Sequence, residues 1–150
     1  MPHFENCIDP KTKETLKAEL PTRADYGSAG YDFYIPESIF IRPGDTALVP
    51  TNIKAIMCTD EVLLLYVRSS VGIKRHCVLA NGTGVIDSTY ANNPDNDGNI
   101  TIALTNVGDQ VQYFNKGERV MQGVFVKYLI TDHDCPLSNT RKGGIGSSGA

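Results

Sequence analysis

The segment NITIALT, residues 99–105, changes chemical character at every step. Ile100, Ile102 and Leu104 fall on one face of an extended chain, and Asn99, Thr101, Ala103 and Thr105 on the other. Period two marks a strand with one buried face, because successive side chains of a strand point to opposite sides. Similar short runs recur in both directions from it. Towards the amino terminus they are CVLA (77–80), EVLLLYV (61–67), NIKAIM (52–57), TALV (46–49), SIFI (38–41) and YDFYI (31–35). Towards the carboxyl terminus they are VQYF (111–114) and RVMQGVFVKYLI (119–130). Gly, Pro, Asn and Asp punctuate the gaps, each a residue that favours turns. Many short strands at close spacing predict an all-β fold, a sandwich or barrel of jelly-roll type. Only KTKETLKAEL (11–20) has helical composition, and it is so short that a strand or an irregular arm is nearly as much expected.

A chain of 150 residues has the size of one domain with a single core. Apolar residues make up 41% and charged residues 21%, the balance of a soluble globular protein rather than a disordered one. No apolar run approaches the roughly 20 residues of a membrane span. The opening MPHFENCIDPKTKET has neither the basic region nor the apolar centre of an export signal, so a cytoplasmic location is expected. Cys7, Cys58, Cys77 and Cys135 form no C-x-x-C pair and read as reduced thiols. A net charge of −3 argues against a nucleic-acid backbone as the main partner. An anionic ligand would need a local cluster of donors instead.

Two such clusters exist. YVRSSVGIKR (66–75) carries Arg68, Ser69 and Ser70 just before Gly72; a guanidinium fork, hydroxyls and turn amides can converge on phosphate oxygens. Taken alone it reads more simply as a strand exit with a solvated arginine. RKGGIGSSG (141–149) repeats the vocabulary with Arg141, Gly146, Ser147 and Ser148, where glycines allow close backbone approach to an anion. Taken alone it reads as a polar terminus. Together, in an acidic chain, they point to a phosphate held from two sides. NPDNDG (93–98) imitates the start of a calcium loop, but Leu104 stands where the bidentate glutamate belongs, so a hairpin loop is expected. The histidines at 3, 76 and 133 sit in unrelated contexts and form no nucleophile–histidine grouping. Asp87, in GVIDSTY (84–90), is either a turn aspartate or a general base that activates water.

Over residues 20–149 the chain resembles the trimeric deoxyuridine triphosphatase (dUTPase) family. The family's motifs occur in order as PTRADYGSAGYDFY (21–34), RSSVG (68–72), NGTGVIDSTY (81–90), GERVMQG (117–123) and RKGGIGSSG (141–149). The resemblance implies one jelly-roll domain, with a variable segment at 1–20 and a mobile arm at 138–150. It implies a homotrimer whose active sites are shared between subunits. It also implies Mg2+-assisted hydrolysis of dUTP to dUMP and pyrophosphate by water attack at the α-phosphorus, supplying dUMP for thymidylate synthesis.

Carried over by residue, Asp87 is the implied base and Tyr90 the ring that packs on deoxyribose. Asn81, the backbone of Gly84, Val85 and Ile86, and the return strand near Thr101 would read uracil in a narrow hairpin. Arg68, Ser69, Ser70 and Gln122 would hold the triphosphate, and Arg141, Gly146, Ser147 and Ser148 would close over its end. Magnesium would be held mainly by phosphate oxygens and waters, with Asp32 acting indirectly.

The sequence departs from the family pattern in two places. The stretch ANNPDND (91–97) lengthens the third motif before Gly98. The fifth motif is one residue shorter than common and carries Ile145 where the family has Phe, so either affinity is lower or another aromatic such as Tyr113 or Phe114 covers the base. A related branch, the dCTP deaminases and their bifunctional members, shares the Arg-Ser-Ser text but places a proton-moving glutamate where Ala103 stands here. A third reading is a nucleotide-binding regulator that keeps the fold without turnover.

Overall fold

A computed structural model describes residues 1–146 of the chain. The alternating segment forms β9 (Thr101–Asn106), with Ile102 and Leu104 buried and Thr101, Ala103 and Thr105 half-buried. Among the described residues, β9 is the middle strand of a sheet between β4 (Thr46–Pro50) and β7 (Cys77–Leu79). A second sheet runs in the order β2 (Tyr31–Tyr34), β11 (Arg119–Lys127), β6 (Glu61–Val67) and β8 (Gly84–Asp87). Two further pairs complete the β structure: β1 (His3–Asn6) with β5 (Ile53–Ile56), and β3 (Ile39–Ile41) with β10 (Gln112–Phe114). All of these pairings are antiparallel.

Phe33, Leu63, Leu65 and Met121 from one sheet share a core with Val49, Leu79, Ile102 and Leu104 from the other. Each such side chain contributes about 1.5–3 kcal/mol by leaving water, which is why the alternating pattern prevails over local propensity. The all-β expectation is met, and the strand runs read from the sequence match β2 to β7 and β9 to β11 closely. β11 ends at Lys127; Tyr128, Leu129 and Ile130 continue as an exposed segment outside the sheet.

Two local features differ from the sequence reading, and a third falls among its alternatives. KTKETLKAEL is neither helix nor named strand but an irregular arm. Asp9 caps a single turn, accepting from the amides of Lys11 and Thr12 at 2.8 and 3.1 Å. The turn stops at Lys13 (φ 63°), and Thr15 then bridges back to Ile8. One turn without an apolar stripe has nothing to bury and does not propagate. RSSVG does not simply exit as a turn, because its residues wind into a short helix, α1 (Ser69–Ile73). The third motif is also not a paired hairpin. β7 pairs with β9, whereas β8 pairs with β6, with Leu63, Leu64 and Leu65 opposite Ile86, Val85 and Gly84. Its two sides therefore belong to different sheets and stand apart.

Asn106 and Lys54 are among the polar side chains buried with their partners. Asn106 donates to the carbonyls of Ile41 and Gln110 at 2.9 and 2.7 Å and accepts from the Gly108 amide at 2.9 Å. Lys54, 4% exposed, donates from Nζ to Asn92 Oδ1 at 2.7 Å and to Asp97 Oδ2 at 2.8 Å.

The cysteines divide by burial, Cys7 and Cys77 inside and Cys58 and Cys135 outside. Burial, reinforced by the Asp97 charge, pushes the Cys7 thiol up to about 12, and burial also raises Cys77. The hydrogen bond with Glu61 raises Cys58 in turn. At pH 8 a hydrophilic disulfide reagent should titrate two of the four thiols in the native protein, Cys58 and Cys135, and all four in urea. A third fast native thiol would contradict the burial.

Candidate active site

Separation of β7 from β8 opens a cleft of about 670 Å³. One wall is β8, with Gly84, Val85, Ile86 and Asp87; the facing side carries Asn81, Thr101 and Ala103, with Leu48 and Pro50 from β4. Tyr90 stands at its end, and Arg141, Ile145 and Gly146 of the C-terminal segment close over it. Because β8 is the outer strand of its sheet among the described residues, the backbone groups on its free edge are unpaired by a neighbour. Such an edge can read a planar heterocycle by hydrogen bonds.

Asp87 is the only carboxylate among the described residues lining this cleft, and its side chain is 55% exposed. It ends β8 and leads into a 3-10 turn, Ser88–Tyr90, which tucks Tyr90 inward. The Tyr90 hydroxyl donates to the Asn99 carbonyl at 3.0 Å and accepts from Asn96 Nδ2 at 2.9 Å. Burial raises the pKa of this phenol, partly offset by the Asn96 bond and the nearby Arg141 charge.

The longer tip after Tyr90 folds onto itself. Asn93 Nδ2 donates to the Tyr90 carbonyl at 2.7 Å and to Asn96 Oδ1 at 2.7 Å. Gly98 returns the chain to β9 at φ 86°, where a Cβ would lie 2.6 Å from Ala91 Cα and 2.9 Å from the Tyr90 carbonyl oxygen. Only glycine closes this loop without moving Tyr90. The side chains of the calcium-like stretch are turned to other work, with Asn93 on the Tyr90 carbonyl and Asp97 on Lys54 and the Ile8 amide.

Arg141 bridges the C-terminal segment to the base of the cleft. Its Nη1 is 3.2 Å from Asp87 Oδ2, and its guanidinium carbon lies 5.0 Å from the centre of the Tyr90 ring. Nε and Nη2 donate back to the carbonyls of Gly143 and Gly144 at 2.7 and 3.2 Å.

The first Arg-Ser cluster lies elsewhere in the single chain. Arg68 and Ser70 line a second concavity of about 280 Å³ together with Arg75, Glu118 and Arg119. Asp32, buried at 5% exposure, gives Oδ1 to Arg68 Nε at 3.2 Å and Oδ2 to Arg119 Nη1 at 3.4 Å. Its carboxylate is thus committed to holding two guanidiniums. Ser69 is exposed and lines neither concavity, nor does Gln122, whose Nε2 donates to the Val67 carbonyl at 3.4 Å. Ser147 and Ser148 lie outside the described residues.

Neither aromatic suggested as a substitute for the missing Phe reaches the cleft within one chain. Phe114 is buried under Arg75, whose guanidinium carbon is 3.7 Å from the ring centre, and Tyr113 packs beside Phe40. Ile145 itself lines the cleft. Sequence reasoning also passed over Arg119, although it lies inside the quoted fourth motif, and weighed Asp95 only within the calcium-like stretch, since its partner is almost fifty positions away.

Comparison with known proteins agrees with this geometry. The dUTPase family model matches residues 16–149. A deoxyuridine 5'-triphosphate nucleotidohydrolase of Lactococcus lactis is 45% identical over 132 residues, covering 87% of this chain and 88% of that protein. The crystal structure of dUTPase from Streptococcus mutans superposes with a TM-score of 0.76 at 43% identity, over 86% of this chain and 98% of the other. A D95N variant of the dUTPase from phage phi11 of Staphylococcus aureus, described with a structural Mg(II) ion, shares the fold at a TM-score of 0.72 and 21% identity, over 92% of this chain and 97% of that one. Matched over nearly its whole length by the family's model and by relatives at this level of identity, the chain belongs to the dUTPase family.

Proposed function

We propose that this protein hydrolyses dUTP to dUMP and pyrophosphate, with Asp87 directing water at the α-phosphorus. The carrying observation is the juxtaposition in one cleft of a lone carboxylate, a buried tyrosine ring and the free edge of β8. Uracil offers one ring N–H between two carbonyls, a pattern that backbone groups of Gly84, Val85 and Ile86 can match with Asn81. Cytosine presents the opposite donor and acceptor at two of those positions, so buried polar groups would stay unpaired. The methyl of thymine would meet the cleft wall, and the Tyr90 ring packed on the sugar leaves no room for a 2′-hydroxyl. Ala103, small and uncharged, lines the same cleft, where a deaminase would need an acid.

Asp87 and Arg141 hold one another through an ion pair whose carboxylate is 55% exposed, so water screens it. A triphosphate is the stronger partner for a guanidinium. Nucleotide entry draws Arg141 from Asp87 onto phosphate and frees the carboxylate to orient water and take its proton. Thr101, Tyr90 and Gly146 bound the space in which this happens.

The donor set suits Mg2+ bound chiefly through the nucleotide. Asp32 is taken by Arg68 and Arg119, and the cleft offers one carboxylate, so phosphate oxygens and waters supply most ligands of this hard cation. When bound, the ion would neutralise phosphate charge and polarise the oxygens about the α-phosphorus. Asp32 serves by fixing Arg68.

Arg68, Ser69, Ser70 and Gln122 do not converge on Asp87 inside one chain, which supports a homotrimer that assembles each site from different copies. No helix among the described residues is long and apolar enough to cross a membrane. Cytoplasmic work on a small nucleotide is part of the proposal.

A substrate panel tests the reading. With Mg2+, pyrophosphate should appear rapidly from dUTP and scarcely from dTTP, dCTP or UTP. Ammonia from dCTP would replace this reading by deamination, and nucleotide binding without any product would replace it by a regulatory role.

A further inference from the structure

We infer that Asp95, on the lengthened tip of the third motif, is the dock for the C-terminal segment and thereby a positioning residue for Arg141. The contact stands on geometry alone; only its consequence for turnover rests on the dUTP reading. Asp95 Oδ2 accepts the Gly144 amide at 2.9 Å. Gly143 approaches the same carboxylate so closely that any Cβ there would collide with it. At Gly144 a Cβ would lie 3.2 Å from Asn96 Nδ2, so this glycine too is pressed against the tip.

Burial shows that the contact is a real docking point. Residues 131–140 are exposed throughout, whereas Gly143 and Gly144 are buried. Their carbonyls are the ones that receive Arg141 Nε and Nη2. Asp95 therefore fixes two glycines, the glycines fix the guanidinium, and the guanidinium reaches Asp87 and Tyr90. The glycines that the sequence suggested for approach to a phosphate here approach the protein's own carboxylate.

The dock is itself braced. The Asp95 amide donates to Asn93 Oδ1 at 3.0 Å, and Asn93 is tied to the Tyr90 carbonyl. Behind the loop, Lys54 holds Asn92 and Asp97. A carboxylate is the fitting acceptor, because it carries no donor to compete for the glycine carbonyls and forms a charge-assisted bond with an amide. The longer tip thus gives the segment a fixed landing place beside the cleft.

Limited trypsin digestion of the full chain reads the docking directly. Lys142 is exposed, but cleavage after it requires the buried Gly143 and Gly144 to leave the tip. Asp95→Ala should speed release of residues 143–150, followed by mass spectrometry, by about tenfold, the scale of one charged hydrogen bond. Asp95→Asn, which keeps an acceptor oxygen, should fall between. Gly143→Ala should speed release to a similar degree, and should add nothing in the Asp95→Ala background, where the colliding carboxylate is gone. A wild-type cleavage rate in Asp95→Ala, or an equal Gly143→Ala effect in both backgrounds, would overturn the dock. Melting temperature should stay constant across the set.

In turnover, Asp95→Ala should lower kcat for dUTP about tenfold, with partial rescue by Asp95→Asn. Combined with Arg141→Ala it should be no worse than Arg141→Ala alone, because Asp95 acts through Arg141. Additive losses would sink that role. If the parent protein fails to hydrolyse dUTP, the functional reading fails while the trypsin result still decides the dock.

Discussion

Replacing Asp87 with asparagine should lower dUTP turnover by about 10²–10⁴-fold, the scale of a lost general base. Nucleotide affinity should hold or improve. The substitution keeps the shape of the side chain and one acceptor oxygen for Arg141, now 3.2 Å away, but removes the ability to take a proton. It also removes a negative charge facing a triphosphate. The lost ion pair has a half-exposed carboxylate that water screens, so it is worth about 1 kcal/mol, too little to release a segment also held through Gly144. Pyrophosphate release gives the rate, and calorimetry with a non-hydrolysable dUTP analogue gives the affinity. Turnover near the parent rate would remove Asp87 as the base. Binding lost together with turnover would make it a binding residue instead.

The difference between what the residues announced and what only the fold supplied follows the range of the interactions. β9 was legible because burial of Ile100, Ile102 and Leu104 repeats every second residue. Asp87 and Tyr90 stood out as an acid and an aromatic set three residues apart at a strand end, and the fold keeps them in one cleft. β1 was missed because HFEN is too short to show a period and is held by pairing with β5, some fifty positions away. The splitting of the third motif between two sheets was equally hidden, since nothing in GVID says that β6 rather than β7 is its partner. The same holds for the first Arg-Ser cluster. Asp32 and Arg119 each read as motif residues, but the bond between them spans 87 positions. Local patterns carried the strands and the chemistry-bearing residues, and long-range pairing decided which of them meet.

Lys54→Met should destabilise the protein by about 3–5 kcal/mol, the cost of orphaning one member of a buried ion pair. A charged residue inside NIKAIM offered no local hint of its partner, which lies 43 positions away. Methionine nearly preserves the volume, so a cavity would not account for the loss. What remains is the Asp97 carboxylate, 18% exposed, with the Ile8 amide at 2.7 Å as its main support. Adding Asp97→Asn should recover most of the stability. Asparagine keeps an acceptor for the Ile8 amide, carries no charge, and tolerates the left-handed backbone at this position (φ 60°). Urea unfolding at a fixed protein concentration measures both variants, which matters if subunits associate. A loss below about 1 kcal/mol in the single variant would mean that water reaches Asp97 and that the pair is not what braces the tip. The cleft gives a second readout. Because Asp97 anchors the loop that carries Asp95 and holds Tyr90, the single variant should also free the C-terminal segment to trypsin, and the double variant should protect it again.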